Sequence, residues 1–149
     1  MNNTIFFDMD GTLAGLFFVK GYSKMLAEND TTPYEVANPL FNAERMRNAI
    51  ENAKKNGYRI GIISYYGKDS NAEMIKATRK VKREWLEKYF PYADEIHIIS
   101  PNTKKCSLAK KGDILFDDST KNRNEWKKGL AINAHFRKDW MTELENLIK

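Results

Sequence analysis

Cysteine is nearly absent from this 149-residue chain: Cys106 is the only one. That excludes an intrachain disulfide and a cysteine-based zinc site, and it suits a reducing compartment. Histidine is almost as scarce. His97 alternates with Ile96 and Ile98 in a strand-like run, His135 lies near the C-terminal region, and neither has a metal-ligating partner at useful spacing, so both read as structural. No apolar run approaches the ~18 residues a membrane span requires, and no basic stretch followed by a cleavable apolar segment opens the chain. No internal repeat, low-complexity tract or linker divides it. These absences leave a soluble, cytoplasmic, single-domain protein as the expectation, with 42% apolar and 30% charged residues, too apolar for a disordered chain. A domain of this size buries roughly two thirds of its unfolded surface, so it needs neither disulfide nor structural metal to hold a core.

The net charge is +5 and unevenly placed. Residues 1–40 carry two basic side chains (Lys20, Lys24) against five acids (Asp8, Asp10, Glu28, Asp30, Glu35), so the remainder is strongly basic. A basic body favours anionic ligands such as phosphates, nucleotides or nucleic acid, and it is equally the mark of a lysine-rich solvated surface.

Apolar runs and helical periodicities alternate along the chain. Thr4–Phe7 reads as a buried strand that stops at Asp8-Met9-Asp10-Gly11. Residues 42–56 place Met46, Ala49, Ile50 and Ala53 at helical spacing, with Asn42 as N-cap and Gly57 as the stop. A second strand, Arg59–Ile63, ends at Ser64. A long charged helix follows over residues 71–89, with Met74, Ile75, Thr78, Val81, Trp85 and Tyr89 approximating one face. Further strands are expected at 95–99, 113–116 and 130–133, a short helix at 105–110, a helix through Trp126 and a last one at 140–148. This alternation predicts an α/β fold: a three-layer, Rossmann-like parallel sheet with helices on both faces. Residues 13–41 interrupt it with an irregular aromatic insert, most simply a small cap or lid over the strand ends.

Open parallel sheets bind ligands beyond the carboxyl ends of their strands. Here those ends are unusually polar: Asp8 and Asp10 after the first strand, Ser64 after the second, Lys104 and Lys105 after the third, Asp117 and Asp118 after the fourth. Four acids, a hydroxyl and a lysine at one rim suit a divalent cation and a phosphate, because magnesium takes carboxylate, phosphate and water oxygens. A carboxylate approaching a phosphate dianion is repelled until a metal and a lysine neutralise the charge. One aspartate is then free to act as a nucleophile and the other as an acid.

Asp8-Met9-Asp10-Gly11-Thr12 after a buried strand resembles the first motif of the haloacid-dehalogenase-type phosphohydrolases. Ser64 after Ile60-Gly61-Ile62-Ile63 resembles their second motif, a lysine at 104 or 105 their third, and Phe116-Asp117-Asp118 their fourth, in the family's order over residues 4 to about 128. A narrower resemblance, to the 5'(3')-deoxyribonucleotidase-like branch and its small phage and bacterial relatives, rests on Asp8-Met9-Asp10-Gly11, on Glu84-Trp85-Leu86-Glu87-Lys88-Tyr89-Phe90 and on Leu115-Phe116-Asp117-Asp118-Ser119-Thr120-Lys121-Asn122. The chain departs from that branch at Thr12, often Val there, and in an insert short for a full base-gripping cap.

The resemblance implies a magnesium-dependent phosphomonoesterase working through an aspartyl phosphate. Asp8 would be nucleophile and metal ligand. Asp10 would be general acid and then base, with its backbone carbonyl on the metal. Ser64 would donate to a phosphoryl oxygen, and Lys105, or else Lys104, would balance charge. Asp117 would bind the metal directly, with Asp118 orienting it or binding through water. Gly11 and Thr12 of the turn, Ser64, Tyr65, Phe17 and Phe18 are the candidate substrate contacts, and Tyr22 and Tyr66 are further aromatics able to stack on a nucleobase or simply to fill the core. The implied partner is a small phosphorylated substrate, foremost a nucleoside monophosphate. The basic run Lys76, Arg79, Lys80, Lys82, Arg83 and Lys88 keeps a polynucleotide end as an alternative, and a non-catalytic phospholigand-binding protein is a third reading on the same fold.

Overall fold

The apolar run Thr4–Phe7 (β1) is the centre of a five-stranded parallel sheet in a computed structural model that describes residues 2–149. The other strands are Arg59–Tyr65 (β2), Glu95–Ile99 (β3), Ile114–Asp117 (β4) and Ala131–Asn133 (β5), in the order β3-β2-β1-β4-β5. β1 is buried along its whole length because it has a neighbour on each side and cover on both faces, which is why its sequence is continuously apolar rather than alternating.

The helices are Tyr22–Ala27 (α1), Thr32–Val36 (α2), Ala43–Lys55 (α3), Ala72–Tyr89 (α4), Thr120–Glu125 (α5) and Trp140–Leu147 (α6), with 3-10 turns at Leu16–Phe18 and Lys105–Leu108. Asn42 caps α3 by accepting from the Arg45 amide at 2.9 Å, and Asn71 caps α4 by accepting from the Met74 amide at 2.8 Å. Gly57 ends the turn after α3 at φ +88°, a left-handed conformation that favours glycine. β2 runs past its expected end at Ile63, since Ser64 and Tyr65 pair with Ile98 and Ile99 of β3. Ser64 therefore sits in the ladder rather than beyond it.

The chain steps one way across the sheet from β1 to β3, then jumps back over β1 to β4 and continues to β5. The crossovers place α3 and α4 on one face and the 105–108 turn and α5 on the other, the division that right-handed connections give when the chain reverses direction across a parallel sheet. The two faces are unequal. On the first, Ile5, Phe7, Ile60, Ile62, Ile114 and Phe116 pack against α3, α4 and α6. On the second, Phe6, Ile63 and Leu115 pack against Trp126 and the residues around Cys106 and Leu108, with Ile99 and Ala131 of the sheet alongside. Helices do lie on both faces, but the second layer is thin. Phe6 compensates by lying across Gly61 of the neighbouring strand: a Cβ there would stand 2.4 Å from its ring.

The insert of residues 13–41 is helical rather than irregular, comprising the 16–18 turn, α1 and α2. Its apolar residues Leu16 and Tyr34 pack on Val81 of α4, with Tyr22 and Leu26 alongside. The Trp85 indole of α4 also donates to the Ala37 carbonyl at 2.8 Å. A shared apolar face thus organises a segment that carries little periodicity of its own. Among the described residues no helix is long and apolar enough to cross a membrane.

At the opposite end from these carboxyl-terminal loops, buried Asp113 ties β1 to β4. One carboxylate oxygen accepts from the Thr4 amide at 2.8 Å and the other from the Lys110 amide at 2.7 Å. Asp113→Ala leaves the buried Thr4 amide unpaired and is expected to cost about 2–3 kcal/mol. Urea denaturation of the two proteins checks this, with Asp113→Asn falling between them.

Candidate active site

The carboxyl ends of β1, β2 and β4 converge because the three strands are neighbours, and the 105–108 turn crosses beneath them. Asp8 directly follows β1, and its amide still donates to the Phe116 carbonyl at 2.9 Å, which fixes it against β4. Asp117 is the last residue of β4 and is wholly buried. Between them lies the ammonium of Lys105, also buried, donating to Asp8 Oδ1 and Asp117 Oδ2 at 2.8 Å each. Lys104 points away, with its side chain 70% exposed and its ammonium 3.9 Å from Glu125. Of the two lysines the sequence left open, Lys105 is the one at the site.

Asp117 has two further donors: Oδ1 accepts from the Ser119 amide at 2.9 Å, and Oδ2 also takes the Asn122 side-chain amide at 3.0 Å. Asp118 is half-buried and accepts from the Thr12 hydroxyl at 3.4 Å. Asp8, Asp117 and Asp118 each bring a carboxylate oxygen within 4.8 Å of the others.

That crowding perturbs the acids. Burial, and then repulsion from Asp117 and Asp118, pushes the Asp8 carboxyl well above its ordinary range against the pull of Lys105. Burial likewise raises Asp118, with Asp117 adding to it. Burial also works against the charged form of Lys105, but Asp8 and Asp117 outweigh it, and the lysine is held protonated above its usual range. One ammonium among three crowded carboxylates, two of them buried, leaves a net negative site, and the donor set is entirely hard oxygen. It suits a magnesium-like cation; the resemblance gives the direct metal contact to Asp117, but here Asp117 accepts from Lys105, Ser119 and Asn122, and Asp8 and Asp118 offer the freer oxygens.

Gly11 makes the close approach of Asp118 possible. It adopts φ +86°, and a Cβ would lie 2.4 Å from Asp118 Oδ2 and 2.7 Å from the Phe17 ring. Thr12 is wholly buried, so these two turn residues shape the acidic cluster rather than offering side chains to a ligand.

Asp10 does not join that cluster. Its Oδ2 accepts at 2.8 Å from Lys82, a residue of α4 with no exposed surface. The same ammonium donates to Ser64 Oγ and to the Tyr65 carbonyl, each at 2.8 Å, and lies 4.6 Å from the Tyr34 ring centre. Ser64 is itself wholly buried, so a ligand reaches its hydroxyl only when surrounding side chains shift. The sequence places Lys82 in a basic run along the helix, but its side chain faces inward rather than lying on the surface. The signal was available, since position 82 falls between Thr78 and Leu86 on the buried side of the helix. Arg79 and Arg83 of the same run donate to the Ile98 and Ile96 carbonyls of the edge strand β3, which further breaks up the basic stripe.

The aromatic candidates divide. Tyr65 is half-buried, donates to the Thr103 carbonyl at 3.0 Å and lies 5.1 Å from the Lys105 ammonium, so its ring helps wall the site. Tyr66 packs beside Arg79, and Tyr22 packs edge-on to Phe17. Phe17 and Phe18 are 53% and 63% exposed. They rim a cleft of about 110 Å³ that also takes in Gly11, Leu40, Asp118, His135 and Phe136. Phe136, 45% exposed and edge-on to Phe18, was not anticipated; it lies in the loop after β5. His135 stacks near it and accepts from the Arg137 amide through Nδ1. A larger depression of about 620 Å³ between β5 and α6 lies away from the acidic cluster.

Comparison of the chain with models of known protein families gives no match, and comparison with curated proteins finds no significant relative.

The raised Asp8 and Asp118 carboxyls give a prediction with a definite sign. An acid whose folded pKa is raised costs stability above that pKa, and the cost vanishes as the pH falls through it. Asp118→Asn is therefore expected to raise the melting temperature in chelator at pH 7 by about 2–4 °C, the equivalent of ~1 kcal/mol at this size. The gain over wild type should shrink on acidification. Thermal melts of both proteins across pH check it.

Proposed function

We propose that this protein is a magnesium-dependent phosphomonoester hydrolase of the haloacid-dehalogenase type, acting on a nucleoside monophosphate. The observation that carries the reading is the buried Lys105 ammonium bridging Asp8 and Asp117, with Asp118 alongside and Asp10 on the same turn as Asp8. That is an electrostatic frame for a phosphoryl group, and a merely structural ion pair has no need of the two further acids.

Asp8 and Asp118, with the backbone carbonyl of Asp10, would hold a magnesium ion, and Asp117 would steady Lys105 beside it. When bound, that ion supplies positive charge to offset the phosphate dianion. The chain's own residues do the rest. The Asp8 carboxylate attacks phosphorus, the bond to the leaving oxygen breaks, and Asp10 delivers a proton to that oxygen. Asp10, now a carboxylate, takes a proton from water as the water oxygen attacks phosphorus. The aspartyl phosphate P–O bond breaks, returning free Asp8 and inorganic phosphate. Lys105 has a third N–H beyond its two carboxylate bonds, available to a phosphoryl oxygen.

The nucleotide preference rests on the rim. Phe17, Phe18 and Phe136 expose apolar rings beside Asp118 and Gly11, where the remainder of a phosphoester would emerge. Base–aromatic stacking contributes about 1–3 kcal/mol per base. A long polynucleotide is less well served, since Lys82 is buried and Arg79 and Arg83 are engaged on β3.

Phosphate release from deoxy- and ribonucleoside 5'- and 3'-monophosphates and from an aryl phosphate tests the reading. Turnover is expected with magnesium, to be absent in chelator, and to fall to background in Asp8→Asn and Lys105→Met. Activity indifferent to Asp8→Asn would sink the mechanism. Phe18→Ser should raise KM for nucleotides about tenfold while leaving glycerol phosphate unaffected. Equal effects on both substrates would remove the nucleotide assignment and leave the chemistry standing.

A further inference from the structure

Two lysines are wholly buried at this rim, and the reaction outlined above uses only one of them. Lys82 enters from the middle of α4, and each of its three N–H groups has an acceptor at 2.8 Å: Ser64 Oγ, the Tyr65 carbonyl and Asp10 Oδ2. No donor is left for a substrate, so Lys82 is not a phosphate ligand. Two of its acceptors belong to β2, a strand paired on both sides. The third lies in the loop beyond β1, where an isolated bridge to Ala14 holds the Asp10 backbone but not its carboxylate. Asp10 has no other side-chain hydrogen bond among the described residues, and its Oδ1 is left free.

Resting on the phosphatase reading, we propose that Lys82 is the positioning residue for Asp10: it is anchored on β2 through Ser64 and the Tyr65 carbonyl, and it fixes Asp10 Oδ2 so that Oδ1 meets the leaving oxygen. Core stability does not account for it. A buried ion pair replaced as a whole by apolar side chains is often no less stable, so packing alone does not call for an ammonium here; with Asp10 and Ser64 in place, removing Lys82 alone strips both of their donor. The ring of Tyr34 closes the remaining side of the ammonium and excludes water from it.

The test separates proton delivery from general damage by varying the leaving group. Wild type, Lys82→Met, Asp10→Asn and the double variant are assayed with magnesium on a nucleoside 5'-monophosphate, whose alkoxide needs a proton, and on p-nitrophenyl phosphate, whose leaving oxygen does not. If Lys82 acts through Asp10, Lys82→Met lowers kcat on the nucleotide by about 100-fold or more, the range for a general acid. On the aryl ester the loss stays under about tenfold, and in the Asp10→Asn background Lys82→Met adds no more than about threefold on either ester. Equal losses on the two esters, or losses that multiply in the double variant, overturn the assignment while leaving the phosphatase reading intact. No turnover of either ester by wild type overturns both. If circular dichroism shows Lys82→Met unfolded, Lys82→Arg is read by the same criteria, because a planar guanidinium keeps the charge but not the pyramidal three-way contact.

Discussion

The acidic cluster at the carboxyl rim depends on one buried cation. Lys105 reaches between Asp8 and Asp117 from a turn on the thin face of the sheet and bonds both at 2.8 Å. Without it, strand ends that are wholly apolar up to Phe7 and Phe116 would deliver carboxylates into a low-dielectric pocket with no compensating charge, at a cost of several kcal/mol per ion. With it, Asp8 and Asp117 share one ammonium, and Asp118 is left over. The uneven count leaves residual negative charge that would favour a second cation, while the lysine limits how negative the pocket becomes.

The rim divides into two compartments, each organised by a buried lysine. Lys105 gathers Asp8 and Asp117 from β1 and β4. Lys82 gathers Asp10 and Ser64 from the turn after β1 and from β2. Asp8 and Asp10 are only two residues apart, yet they fall into different compartments because the strand has ended and the turn to Gly11 sends the second carboxylate toward α4. Opposed duties for the two acids, bond formation at one and proton movement at the other, fit such a division.

Much of this could be read from residues alone. Short apolar runs ending in Asp, Ser and Asp-Asp located four of the five strands and the rim where they meet, since a parallel strand buried on both faces has a distinctive composition. Asn42 marked the start of α3 through its capping chemistry. Other features were hidden for physical reasons. Lys82 looked like one cation in a run of cations, and only its phase on the helix separates it from Lys80 and Arg83. The choice between Lys104 and Lys105 turned on a 3-10 turn whose geometry a helical period does not describe. The insert's helices are held by Val81 and Trp85, far away in sequence, so a local reading of residues 13–41 had nothing to lock onto. Phe136 belongs to a loop and follows no period at all.

The helix α4 faces two ways. One stretch of it carries the cushion on which the insert rests, through Val81 and the Trp85–Ala37 bond, and the residue adjoining Val81 is the lysine that grips Asp10. Insert and acid are therefore mechanically in series, with a single turn of helix between them. A protein built this way cannot trade its insert for another as an independent module. Any replacement that seats differently on Val81 displaces the foundation of Asp10 as well, so the part that would select a substrate and the part that would move its proton are constrained to change together.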